Sequence, residues 1–146
     1  MAQWIETKLR YDKVMENGAV KKVTEAYLVD ALTFTEAEAR IIEEMKPYIG
    51  DDFEVKAVKK AKINEIIGDH DSGKYYLAKV GYITIDEKNG SEKTAESHLL
   101  VGEEDFQTAF GTLLTELRKS MCDWEIISLS ETAILDVFPI KLSNNK

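Results

Sequence analysis

Cysteine occurs once in the 146 residues, at Cys122, and histidine and proline twice each. A lone cysteine excludes a disulfide framework and any multi-cysteine zinc site. No stretch approaches the roughly 20 consecutive apolar residues of a spanning helix. Met1-Ala2-Gln3-Trp4 runs directly into charged sequence without the look of a secretory signal. Both features predict a cytoplasmic protein with no membrane partner. Positive charge is also scarce, with 19 bases against 27 acids and a net charge of −8. That balance argues against a histone-like coat of positive field. No dinucleotide glycine fingerprint, phosphate-binding loop or nucleophile elbow occurs, so no cofactor is expected.

What is present suffices for a core. Hydrophobic residues make up 44% of the chain, with five Phe, six Tyr and two Trp, which predicts one globular domain rather than disorder. Residues 4–15 alternate, with Ile5, Thr7, Leu9 and Tyr11 on one face and charged residues on the other, as in a half-buried strand. Glu16-Asn17-Gly18 predicts a hairpin turn with positive φ tolerated at both Asn and Gly. The return strand spans about 20–31. Thr35-Glu36-Ala37-Glu38 reads as a capping box with Thr35 as N-cap, opening a helix whose apolar stripe is Ala39, Ile42, Met45 and Ile49. One long strand is expected over 53–67. Gly68–Gly73 is a loop, strand 74–87 follows, and Asn89-Gly90 sits in a second hairpin before strand 94–102. A second helix is predicted over about 104–120, with Phe106, Ala109, Phe110, Leu113, Leu114 and Leu117 on its apolar face. A last strand begins at Trp124, breaks near 128–131 and resumes over 133–140.

This order repeats. A shift of 72 carries Asn17-Gly18 onto Asn89-Gly90, Ile41-Ile42 onto Leu113-Leu114 and Met45 onto Leu117. A shift of 71 carries Leu28 onto Leu99, Phe53-Glu54-Val55 onto Trp124-Glu125-Ile126, and Ile63 onto Ile134. The expectation is an α+β fold from a tandem repeat of strand-strand-helix-strand. It has antiparallel sheets, two helices and a pseudo-twofold axis. The repeats fall at about 1–68 and 73–141 of a single domain, with 142–146 as a frayed tail. The element order is similar to that of the Whirly and Pur-type single-stranded nucleic-acid binders. Their usual unit places four strands before the helix, whereas two precede it here, and none of their residues carries over.

Trp4-Ile5-Glu6, Tyr11, Glu16-Asn17-Gly18, Lys21-Lys22-Val23-Thr24-Glu25, Tyr27-Leu28-Val29-Asp30-Ala31 and Phe34–Arg40 resemble a family of small uncharacterised proteins from Bacteroides-type bacteria and their phages. The resemblance implies a protein of a bacterial or phage-infected cell and brings no activity.

Signs of catalysis are thin. Asp69-His70-Asp71 has the residue types of a metal or acid–base cluster, but a hard metal wants more oxygen ligands and zinc more nitrogen or sulfur. A solvated turn explains it better. His98 reads as a surface or half-buried strand residue. Cys122 follows a helix C-terminus, where the dipole opposes a thiolate. No enzyme and no metal site is therefore expected.

The charges have a pattern of their own. The three strands of the first half hold nine bases and six acids, so a locally positive sheet is expected within an acidic protein. Parity places Lys56, Lys60 and Lys62 on one strand face and Lys8 and Arg10 beside Trp4. It shows Tyr76 and Tyr82 opposite Leu77 and Ile83. Cations for phosphates and rings for unstacked bases suit single-stranded nucleic acid. The leading expectation is a non-enzymatic DNA- or RNA-binding protein, with Lys8, Arg10, Lys22, Lys56, Lys60 and Lys62 on phosphates and Trp4, Tyr76 and Tyr82 stacking. The alternative is an accessory protein–protein interaction module that does not bind nucleic acid. Lysine on a sheet face also guards edge strands, and exposed edges leave room for a homodimer.

Overall fold

The computed structural model describes residues 3–69 and 71–139. The first alternating segments form strands β1 (Trp4–Val14) and β2 (Val20–Asp30), paired antiparallel with Trp4 opposite Asp30 and Val14 opposite Val20. Gly18 takes φ 85° in the connecting turn and Asn17 does not take positive φ. The Asn17 side chain instead accepts the Ala19 amide at 2.9 Å. The turn therefore needs one left-handed residue, which glycine supplies without steric cost.

Helix α1 (Phe34–Ile49) starts two residues earlier than the capping-box reading predicts. Thr33 is the N-cap, its Oγ1 accepting the Glu36 amide at 3.0 Å, while Glu36 accepts the Leu32 amide at 3.4 Å. Thr33 and Glu36 form a box-like cap in which Glu36 reaches the amide before the N-cap rather than that of Thr33 itself. The helix buries Ala37, Ile41 and Met45, a strict four-residue stripe, rather than Ala39 and Ile42. These pack on Ile5, Leu9, Tyr27, Val29 and Ala31 of the hairpin. Each fully buried Ile or Leu contributes about 1.5–3 kcal/mol. Gly50 closes the helix at φ 75°, and its amide reaches the Lys46 carbonyl at 2.9 Å.

The predicted 53–67 strand is two strands in different sheets. Strand β3 (Phe53–Lys60) runs antiparallel to β1, and β4 (Glu65–Gly68) pairs in parallel with β6 (Glu92–Gly102). Strand β5 (Tyr75–Ile85) pairs antiparallel with β6 and with β7 (Asp123–Glu131). Helix α2 (Phe106–Leu117) lies between β6 and β7 in the chain, capped by Asp105, which accepts the Thr108 amide at 2.8 Å. The last strand, β8 (Ile134–Phe138), runs parallel to β2. The described residues thus form two four-stranded sheets, ordered β3-β1-β2-β8 and β4-β6-β5-β7, in an α+β fold. Both sheets are mainly antiparallel, as expected, with one parallel pairing at an edge of each.

Two compact units result. The first takes residues up to Ala61 and from Ala133 onward, and the second takes Lys62–Thr132. The units do not follow the repeat boundaries of the sequence, because each repeat's last short strand belongs to the other repeat's sheet. In the second unit α2 buries Ala109, Leu113 and Leu117 against Tyr76, Ala78, Val80, Leu99 and Val101. No helix is long and apolar enough to cross a membrane among the described residues.

Candidate binding surfaces

The residues expected to form one basic, aromatic face are dispersed. In the first unit, Trp4, Lys8 and Arg10 do share the face turned away from α1, and Lys22 joins them through the register that sets it opposite Asp12. Arg10 and Lys22 line a depression of about 220 Å³, but Asp12, Asp52 and Glu54 line it too. The expected parity breaks at Lys56. Leu9 pairs with Val55 and Lys8 with Ala57, so Lys56 is the extra residue of a β-bulge. A bulge inverts the facing of every residue beyond it. Lys60 therefore sits opposite Ile5, which points to the helix side, and Lys62 lies past the end of β3 in the second unit. Lys56 is 3.8 Å from Glu54, and Lys59 is 3.9 Å from Glu6.

The two tyrosines of the second unit face the core. Tyr76 is 3% exposed and packs edge-on to Phe106, with ring centroids 6.1 Å apart. Tyr82, opposite Trp124, lies half-buried under α2. Burial pushes its phenol pKa up, with Cys122, Glu65 and Glu116 adding to the effect. The parity reading for β5 had the faces reversed. Its even positions, Tyr76, Ala78, Val80 and Tyr82, meet the helix. On strands apolar on both sides, as this one is, alternation does not say which side the helix covers.

The first unit has a groove of different character between the last turns of α1 and the β2–β8 edge. Its volume is about 400 Å³, and its lining includes Tyr11, Glu25, Tyr27, Glu44, Tyr48, Asp136 and Phe138. The floor is a shared carboxylate. Tyr11 and Tyr27 both donate their hydroxyls to Oε1 of Glu25, at 3.0 and 2.9 Å. Lys13 approaches the other oxygen at 3.9 Å. Burial, then the hydrogen bond to and charge of Glu25, push the Tyr11 phenol up to about 12. The same causes raise Tyr27, with Tyr11 and Asp136 contributing. Phe138 stacks at a tilt on Tyr27 with centroids 6.0 Å apart. Tyr48, 79% exposed, stands at the mouth. Among the described residues that line the groove, three are carboxylates and none is basic. Arg40 lies behind it, 3.4 Å from Glu44, and also donates to the carbonyls of Asp30 and Pro139. It ties α1 to the ends of β2 and β8.

The sequence reading missed this groove. Its signal was available, because the register fixed by the Gly18 turn puts Tyr11, Glu25 and Tyr27 on one face within two cross-strand steps. What the register did not contain was β8, which arrives from more than 100 residues away and supplies Asp136 and Phe138.

The two histidines and the cysteine lie away from this groove or outside the described residues. His70 lies outside the described residues, and its neighbours Asp69 and Asp71 form an exposed turn in which Asp69 accepts the Asp71 amide at 2.9 Å. His98 is half-buried on β6, its amide donating to Asn64 Oδ1 at 2.7 Å. Cys122 packs 3.4 Å from the Ser120 hydroxyl. No group of three or more His, Cys, Asp or Glu able to hold a metal occurs among the described residues.

The chain belongs to the family described as "Domain of unknown function (DUF4494)", whose model matches residues 3–140. No curated protein matches the sequence.

Proposed function

We propose that this member of a family of unknown function is a non-enzymatic binding module whose partner is a protein, engaged through the groove between α1 and β8. One observation carries the reading: a groove of about 400 Å³ that combines aromatic rings with carboxylates and exposes Tyr48 at its mouth. Interface anchors are typically aromatic side chains set in pockets. The nucleic-acid reading has less support. Its cations fall on several faces and lie among carboxylates, and two of its three rings point into a core. The cytoplasm of a bacterial or phage-infected cell is the setting that the composition and the sequence resemblance suggest.

The test is a photo-crosslinking amino acid at Tyr48 in the full chain, expressed in its native cells, with Thr115 on the exposed side of α2 as control position. A discrete, nuclease-resistant protein adduct from position 48 but not from 115 is the expected result. Equal adducts at both positions would overturn the reading. So would a nuclease-sensitive adduct, or salt-sensitive binding of labelled single-stranded oligonucleotides at micromolar protein, and either of these would restore the nucleic-acid alternative.

A further inference from the structure

Taking the groove as a protein-binding surface, which is the reading above, we infer that its occupant is the guanidinium group of an arginine in the partner polypeptide. The argument is complementarity of charge and shape. Glu25 is held on the floor by two phenol donors on a single oxygen, Oε1. A carboxylate has about four acceptor positions, and Lys13, at 3.9 Å from Oε2, is beyond hydrogen-bond distance. Glu25 thus keeps acceptor capacity in a fixed orientation. Asp136 adds a second carboxylate from β8 on the same groove.

The rings supply the other half. Tyr27 and Phe138 make a tilted aromatic wall, and Tyr48 stands at the entrance. A planar cation is stabilised over such faces. Arginine suits this arrangement better than lysine, because its flat fork stacks on a ring while bonding a carboxylate with two donors. An anionic side chain would meet the three carboxylates of Glu25, Glu44 and Asp136, and none of the described lining residues is a cation. A cleft of about 400 Å³ lies within the usual range for small ligands, about 300–1,000 Å³, and admits one long side chain with part of its backbone.

The probe is N-acetyl-argininamide, titrated into the isotopically labelled full chain and followed by amide chemical shifts. Saturable shifts confined to the lining residues Tyr48, Ile49 and Leu135 and their neighbours are expected, with none from N-acetyl-citrullinamide, the neutral isostere. Tyr48→Ala, at an exposed position, should weaken binding about two- to fivefold. Glu25→Gln should weaken it about tenfold or more, and its spectrum reports directly whether the fold is kept. Shifts that do not saturate, that scatter over the acidic surface, or that citrullinamide reproduces would overturn the inference. If that happens while the Tyr48 crosslink still captures a protein, the arginine assignment fails and the protein-binding reading stands. If both fail, the groove is not a binding surface.

Discussion

The phenol pair on Glu25 makes the protein's stability fall at alkaline pH, and removing the Tyr11 hydroxyl should take away one phenol's share of that fall. Tyr11 ordinarily loses its proton near 10, and in the folded chain it does so at about 12. The principal cause is burial, which penalises the phenolate, with Glu25 adding a hydrogen bond and a like charge. Between those two values the unfolded chain has released the proton while the folded chain still holds it. The unfolded state then binds fewer protons, so unfolding free energy decreases as pH rises. The contribution is therefore fully present below pH 10 and is lost progressively toward pH 12. Two units at about 1.36 kcal/mol each give an upper figure of about 2.7 kcal/mol. The Tyr11 ring is partly exposed, and solvent screening brings the expected loss to about 1–1.5 kcal/mol. Urea midpoints measured in steps from about pH 9 to about pH 11.5 would show the decline. Tyr11→Phe should flatten it by that amount while leaving the lysine titrations common to both proteins. The ultraviolet tyrosinate band should show one titration step missing from the high-pH end of the variant. Parallel stability curves for the two proteins, or a Tyr11 step at its ordinary pH, would refute the reasoning.

Two further outcomes test the local structure. Thr33→Ala should cost about 1 kcal/mol, the usual value for losing a helix N-cap, whereas Thr35→Ala, inside the first turn, should be within about 0.5 kcal/mol of neutral; thermal denaturation of the pair decides which threonine caps α1. Leu113→Ala should cost about 2–5 kcal/mol because Leu113 is fully buried between α2 and its sheet, and deleting such a side chain leaves a cavity. Phe110→Ala, at a position that is 40% exposed, should cost less than half as much, and equal losses would show that the aromatic row is core after all.

Local rules carried the hairpins and helices and failed where a third element decided the outcome. Alternation and Asn-Gly placed β1 and β2 with the correct face inward, because their pairing is local and one side of the hairpin carries most of the charge. On α2 the four-residue stripe Ala109, Leu113, Leu117 was legible, but Phe106 and Phe110 were grouped with it. Each precedes a stripe residue by three positions, which at 3.6 residues per turn swings it about 60° toward solvent. The basic face failed for a single cause in the first sheet. Lys56 is an extra residue in the β3 ladder, and nothing in Val55-Lys56-Ala57-Val58 announces a bulge. The 53–67 run read as one strand because its apolar spacing continues past Lys60, although the chain leaves one sheet there and enters the other.

The two sheets share a detail that no local rule requires. The β3 bulge at Lys56 recurs in β7 at Ile127, 71 positions on, and each falls between corresponding pairs, Lys8/Leu9 and Lys79/Val80. The hairpin pair Ile5–Val29 corresponds to Tyr76–Val101, and the parallel pair Leu28–Val137 to Leu100–Ile66. The buried helix residues Ala37, Ile41 and Met45 match Ala109, Leu113 and Leu117 at a shift of 72. The change from 71 to 72 falls at the hairpin, whose connection is one residue longer in the second copy, between Ile85 and Glu92 rather than Val14 and Val20. A register irregularity costs ladder hydrogen bonds, so its return at an equivalent position is poorly explained by two independent origins. A tandem duplication would account for that return. On that account the groove marks where the copies have diverged. The positions 71 or 72 after Tyr11, Glu25 and Tyr27 hold Tyr82, Ser97 and Leu99, and Leu99 is buried under α2 while Tyr82 packs against the same core. The second copy retains one phenol of the triad and neither the second phenol nor the carboxylate between them. If recognition resides in that triad, it belongs to the first unit, and in the second unit two of the three corresponding positions serve packing while Ser97 bonds to Asn64.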